Sequence, residues 1–265
     1  MSAPWALLLC ERLVAGAIFL QALEMMLLRS VTSDFGVWRW KSLQAEFGRL
    51  GPVVGRLLSG RGWPFLLVFQ AVAAASVLAG WGSPALLVSL SVCVLLGSMR
   101  FLGTFNGGSD CMTAVVLMAV TAVRWEGSSD RSVLVGLGYI GFQLTLSYAV
   151  AGWVKLCESS WRSGAALLKF LELPQYPVSG WVRVALARRG VSLLLGWLLI
   201  GSELAISILA LVSVIRGPWP PLGVVLILAS GLGFHFLNAK ILGLNRFLWA
   251  WLSAYPALAF WLSRS

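Results

Sequence analysis

The run VSLLLGWLLIGSELAISILALVSVI, residues 191–215, contains a single ionisable side chain, Glu203. About 20 apolar residues in a helix cross the hydrocarbon of a bilayer. Inside lipid no water is available to the backbone, so the segment must satisfy its own peptide groups, and a helix does so. Seven further apolar runs lie near residues 5–28, 63–81, 83–102, 109–123, 132–154, 219–240 and 244–262. The run at 109–123 is short, and only the turn Gly82-Ser83-Pro84 divides the second and third runs. The expected fold is therefore all-α: a polytopic transmembrane helix bundle of about eight spans, between seven and nine, forming a single membrane-embedded domain over residues 1–265. Composition agrees, with 59% hydrophobic and 11% charged residues and 14 Trp, far more apolar than a soluble domain.

The first apolar run carries Glu11, Arg12 and Glu24 and lacks a basic leader, so it reads as a first helix rather than a cleaved signal. Basic residues orient the chain, since cytoplasmic loops are enriched in Lys and Arg. Arg29, Arg39, Lys41, Arg49, Arg56 and Arg61 follow the first run, and Arg162, Lys169, Arg183, Arg188 and Arg189 follow the fifth; the opposite connections hold little beyond Arg124, Arg131 and Arg216. The connections 30–61 and 156–190 are expected in the cytoplasm, and the chain in a cell membrane, the bacterial inner membrane in particular. The net charge of +10 then reports topology and attraction to anionic lipid. It is not a nucleic-acid footprint, because no basic and aromatic surface module is present to carry one. Within these connections, residues 37–58 and 161–173 mix Trp, Phe and Leu with Arg and Lys at helical spacing, the pattern of helices lying in the membrane interface.

Two motifs invite a reading that their context removes. GLGYIG at 136–141 matches the dinucleotide fingerprint letter for letter. That fingerprint needs a strand before it and a helix opening after it, whereas these glycines stand inside an apolar run, where small residues let helices approach closely. Gly51 and Gly55 have G-x-x-x-G spacing, but Pro52 and an interfacial position make them a poor dimerisation face. Cys10, Cys93, Cys111 and Cys157 stand singly and form no redox or zinc spacing; they read as small buried hydrophobes. No metal-binding set is expected.

The informative residues are the ionisable ones inside apolar runs, each costing roughly 2.5–3.5 kcal/mol at a helix centre. They are Glu11, Arg12, Glu24, Arg100, Asp110, Lys155, Glu203, His235 and Lys240. Arg12, Arg100 and Lys240 can snorkel to an interface, and Glu11 or Glu24 can pair with one of them. Asp110, Lys155, Glu203 and His235 are the candidate catalytic residues, because a membrane interior leaves such groups only one another as partners. Around Asp110 the segment FNGGSDCMT places Asn106, Ser109 and Thr113 beside the acid and predicts a cavity. Burial disfavours a charged amine and a nearby carboxylate favours it, so the role of Lys155, base or ion-pair partner, depends on its distance from Asp110 and Glu203.

The segment AGWVKLCESSWRSG (151–164) resembles the lysine-bearing stretch of vitamin K-dependent gamma-carboxylases and of the bacterial horizontally transferred transmembrane (HTTM) domain proteins. FHFLNAKILGLNRF (234–247) is similar to the same family's F-H-x-x-N stretch, with His235 and Asn238 at the matching positions, and Glu203 matches the acid of the preceding helix. Asp110 stands where the carboxylases have a histidine, and the large lumenal domain has no counterpart through Ser265. The better likeness is therefore to the short bacterial branch that includes sporulation-delaying protein B, a membrane protein needed to mature a secreted peptide toxin.

The resemblance implies Lys155 as a base on a reduced quinone. His235 would be a second proton carrier, with Asp110 and Glu203 as charge partners and Asn238, Asn106 and Arg100 as substrate-binding groups. The substrate would be a quinol or a peptide, entering between helices. Two other readings stand beside it. In one, the ionisable residues form an internal network in a non-catalytic subunit that docks a protein partner. In the other, the chain is a redox maturation factor of the DoxX or methylamine-utilisation E type, against which the missing cysteine pair counts.

Overall fold

A computed structural model describes residues 1–103, 107–173 and 178–264, and among these all regular structure is helical. Eight long helices fall on the eight apolar runs: α1 Ala3–Leu27, α2 Gly62–Leu78, α3 Pro84–Arg100, α4 Gly107–Trp125, α5 Asp130–Cys157, α6 Arg189–Arg216, α7 Pro221–Leu242 and α8 Asn245–Ser263. Local chemistry sets several ends. The Ser83 hydroxyl accepts the Leu86 N–H (3.2 Å) with Pro84 in the first turn of α3, a standard N-cap arrangement, so the Gly82-Ser83-Pro84 turn does separate two helices. At the other end of α7, Gly243 takes a left-handed conformation (φ +71°) and returns its N–H to the Asn238 carbonyl, as glycine does at helix C-termini.

By length and composition, α1, α5, α6 and α7 can cross a membrane. The helix Leu50–Leu58 and α2, bent by 65° between them, make a fifth only when the two are counted as one broken span. That is fewer than the eight expected from the apolar runs. With 17 residues, α3 reaches only about 25 Å at 1.5 Å per residue. α4 opens on Gly-Gly-Ser-Asp and closes on Arg124 and Trp125, and α8 carries Asn245, Arg246, Ser253 and an internal Pro256. Their runs are helical but less uniformly apolar than α6.

The chain divides into two compact units: a C-terminal unit of Met1–Ala6 with Leu137–Ser265, and an N-terminal unit of Leu7–Gly136.

In the N-terminal unit, residues 37–58 are folded rather than one continuous helix. A turn at Trp40–Leu43 leads into a 3-10 turn at Gln44–Phe47 and then Leu50–Leu58. Trp40, 2% exposed, organises this piece. Its ring stacks on Phe47 at 5.4 Å and its indole N–H donates to the Gly51 carbonyl (3.3 Å). At Gly55 a Cβ would lie 2.7 Å from the Trp40 indole nitrogen. The G-x-x-x-G spacing therefore makes room for an intramolecular tryptophan.

Two charged residues of this unit depart from expectation. Glu11 pairs with Arg124 at 2.5 Å, not with Arg12, Arg100 or Lys240. Arg100 does not snorkel: it is fully buried, donates from Nη2 to the Thr32 carbonyl and packs over the Trp63 ring at 5.6 Å. The Thr32 carbonyl, in the short turn that follows α1, thus holds the guanidinium inside the unit. The cysteines are mixed, with Cys10 and Cys93 buried and Cys111 and Cys157 exposed.

In the C-terminal unit, GLGYIG is part of α5. A Cβ at Gly138 or Gly141 would meet the Trp261 ring at 3.5 or 3.3 Å, so these glycines seat α8 against α5. The α6–α7 connection is held by Trp219, whose backbone N–H donates to the Leu262 carbonyl (2.9 Å) and whose indole N–H donates to the Leu209 carbonyl (3.0 Å).

Candidate functional site

The polar interior of the C-terminal unit is built where α5 ends. Past Cys157 the last carbonyls of α5 have no partner in their own helix. Arg162 supplies it, donating from Nη1 to the carbonyls of Leu156 (2.7 Å) and Cys157 (3.0 Å). This folds the segment back so that Trp161 lies under Lys155, with Nζ 5.3 Å from the ring centre, a cation–π contact.

Gly164 completes the turn at φ +78°, and a Cβ there would sit 2.6 Å from Leu193 N. The lysine, tryptophan, arginine and glycine of KLCESSWRSG therefore share one structural task, which is to turn the chain back over the start of α6. Gly164→Ala is expected to destabilise the unit by about 2 kcal/mol or more, from the left-handed backbone and the backbone overlap together. Gly190→Ala, where a Cβ meets nothing within 4 Å, should leave stability unchanged or slightly raised. Thermal unfolding of the two variants in detergent checks the difference.

Lys155 itself is paired. Its Nζ donates to both carboxylate oxygens of Glu203, at 2.9 and 2.8 Å, and lies 3.4 Å from the Ala151 carbonyl. The Glu203 side chain is 3% exposed and that of Lys155 16%. One face of the pair therefore remains accessible through the lysine. Close approach of α5 and α6 makes the contact possible: a Cβ at Gly152 would lie 2.9 Å from Leu204 and 3.2 Å from the Glu203 Cβ. One turn further along α6, the Ser207 hydroxyl donates to the carbonyl of Thr145 or of Glu203, each at 3.1 Å.

Tyr148 lies two turns before Lys155 on the same face of α5, since positions seven apart coincide on a helix. Its hydroxyl is hydrogen-bonded to His235 Nε2 (2.8 Å) and to the Tyr255 hydroxyl, a three-residue chain drawn from α5, α7 and α8. Tyr148 and His235 are each 2% exposed, and Tyr255 is 4% exposed. Gly231, one turn before His235, makes the space: a Cβ there would fall 2.1 Å from the Tyr255 hydroxyl and 3.0 Å from that of Tyr148. Trp251 packs on the other side of the imidazole at 4.9 Å between ring centres. Among the described residues, His235 Nδ1 and Trp251 Nε1 are buried without a hydrogen-bond partner.

The expected site residues thus fall in two places. Lys155, Glu203 and His235 are interior groups of the C-terminal unit, and Lys155 and Glu203 touch. Asn238 stands on α7 three residues beyond His235, half-buried, with its carbonyl accepting from the Leu244 N–H (3.3 Å). Asp110 and Arg100 belong to the N-terminal unit, where Asp110 lines a cavity with Gln21 and Gln70. Asn106 lies outside the described residues. Sequence reasoning missed Tyr148, Tyr255 and Gly231. The available signal was that three of only four tyrosines, Tyr139, Tyr148 and Tyr255, stand in apolar runs, where a buried phenol needs a hydrogen-bond partner.

Among the described residues, no group of three or more His, Cys, Asp or Glu is placed to hold a metal ion. No family model matches the chain, and no curated protein or solved structure matches it either.

Proposed function

We propose that the C-terminal unit carries out proton transfer within the membrane, on the hydroxyl of a lipid-soluble quinol or on a peptide segment, at the Lys155–Glu203 pair. The observation that carries this reading is the bidentate contact between a carboxylate 3% exposed and an ammonium that keeps an accessible side. A hydroxyl approaching Lys155 gives its proton to the Glu203 carboxylate. The ammonium then holds the resulting oxyanion, an electrostatic role that a water-poor site makes strong. The pairing supports giving the base role to Glu203 rather than to Lys155, since an ammonium bound by two oxygens has no lone pair to offer. The His235–Tyr148–Tyr255 chain, two turns further back along α5, is a second proton-exchanging group for the same interior.

In this reading the eight helices are eight crossings of a cell membrane, the bacterial inner membrane in particular. The basic segments 30–61 and 156–190 lie on its cytoplasmic face, with their short helices in the interface. The likeness of residues 151–164 and 234–247 to the HTTM and gamma-carboxylase family supports a reduced quinone as the reactant and maturation of a secreted peptide as the outcome.

The test is mass spectrometry of everything that co-purifies with the wild type, Lys155→Met and Glu203→Gln. A quinol or peptide held by the wild type and Glu203→Gln but lost from Lys155→Met supports the proposal. A stoichiometric protein partner, unaffected by either change and without any small molecule, overturns it. One observation favours that second, scaffold reading: Glu203 and the Ala151 carbonyl together occupy all three donors of Lys155.

A further inference from the structure

Each of the two basic segments carries a short helix of the same construction. In the N-terminal unit, the helix Leu50–Leu58 turns Gly51, Gly55 and Leu58 inward, and its two glycines meet Trp40. Leu50, Val53 and Leu57 are exposed, at the spacings of three, four and seven that share a helix face. Arg49 and Arg56, themselves seven apart and exposed, border this stripe. In the C-terminal unit, the helix Gly180–Ala187 turns Val182 inward, onto a cluster with Leu171 and Val178. It leaves Trp181 and Val184 exposed, with exposed Arg183, Arg188 and Arg189 beside them.

Charge selects what covers these apolar faces. Residues 29–61 hold six cations against Asp34 and Glu46, and residues 162–189 hold five against Glu172 alone. Among the described residues, none of Arg49, Arg56, Arg188 and Arg189 is in an ion pair. Arginines left unpaired beside an apolar stripe complement a surface that is apolar within and anionic at its edge, which is a leaflet of acidic phospholipid. The 65° bend between Leu50–Leu58 and α2 agrees. Where α2 runs along the bilayer normal, the short helix lies nearer the membrane plane, the attitude of an interfacial helix.

We propose that the helices Leu50–Leu58 and Gly180–Ala187 bind acidic phospholipid, the apolar stripes entering the headgroup boundary and Arg49, Arg56, Arg183, Arg188 and Arg189 holding the phosphates. This rests on the reading that both basic segments face the cytoplasmic leaflet, and it adds which lipid they select and through which residues.

The full chain in nanodiscs of mixed phosphatidylcholine and phosphatidylglycerol provides the test. After mild detergent extraction, the lipid that stays bound is quantified by mass spectrometry. Phosphatidylglycerol should be enriched several-fold over its input ratio, and raising the salt to about 0.5 M should weaken the enrichment by screening. Each arginine near an acidic surface contributes roughly fivefold in affinity. Glutamine at Arg49, Arg56, Arg188 and Arg189 together should therefore abolish the enrichment, and lysine at the same four positions should keep most of it. If the fourfold glutamine variant does not fold, Arg49→Gln with Arg56→Gln, and Arg188→Gln with Arg189→Gln, should each lower the enrichment. Equal retention of the two lipids by the wild type overturns the proposal, as does an enrichment that the glutamine variants leave unchanged. A stoichiometric acidic protein, held by the wild type without lipid enrichment and lost from the glutamine variants, assigns the faces to a protein partner and also overturns it. None of these substitutions touches Lys155 or Glu203, so a quinol or peptide retained there stands or falls separately.

Discussion

Lys155→Met is expected to cost the C-terminal unit about 3–5 kcal/mol, the loss typical of removing one partner from a buried ion pair. The loss is one-sided because Glu203 is left 3% exposed, with its carboxylate oxygens stripped of the bidentate donor. The double change Lys155→Met with Glu203→Leu removes the stranded charge as well. Its stability should return to near that of the wild type, since a well-packed apolar pair can replace a buried ionic one. Thermal unfolding of the three variants in nanodiscs, read as a double-mutant cycle, measures the coupling. If Lys155→Met alone leaves the midpoint in place, the pair is not the organising contact described above. The same cycle separates chemistry from scaffolding. A scaffold recovers its partner binding along with its stability in the double variant, whereas a proton-transfer site recovers stability only.

The second large effect is expected at Gly231. An alanine methyl would fall 2.1 Å from the Tyr255 hydroxyl, a position no real contact tolerates, so the hydroxyls of Tyr255 and Tyr148 must move. Overpacking costs about 1–3 kcal/mol, and each buried hydroxyl left without its partner about 1–3 more. Gly231→Ala should therefore destabilise the unit by about 3 kcal/mol or more and release His235 Nε2 from Tyr148. Gly233→Ala, two residues along the same helix with nothing within 4 Å of its Cβ, is the control. It should gain about 0.5–1 kcal/mol, the usual helix advantage of alanine over glycine. Imidazole nitrogen chemical shifts of the single histidine report the lost hydrogen bond directly. An unchanged His235 spectrum in Gly231→Ala would contradict the arrangement.

The contrast between Gly231 and Gly233 shows where the sequence was legible and where it was not. Both are glycines in GLGF within one apolar run, and nothing local distinguishes them. Only the approach of two tyrosines from α5 and α8 makes one of them indispensable. Lys155 and Glu203 are visible in the sequence because an ionisable side chain in an apolar run stands out whatever its surroundings. That they form the ion pair, while Asp110 lies in the other unit, depends on which helices pack together.

The helical class and the eight apolar segments follow from sequence alone, because the bilayer-like apolar runs admit one backbone solution and Gly, Pro and Ser mark their ends. So does the inventory of groups that cannot be left alone in such an interior. The tertiary structure decided how those groups are partnered, which glycines make room for them, and how much of each helix is long and apolar enough to cross a membrane. The physical reason is range. Helix formation is settled by hydrogen bonds four residues apart, whereas the Lys155–Glu203 pair and the His235–Tyr148–Tyr255 chain join residues 48 to 107 positions apart. Contacts at such separations exist only after side-chain packing has chosen which helix faces meet.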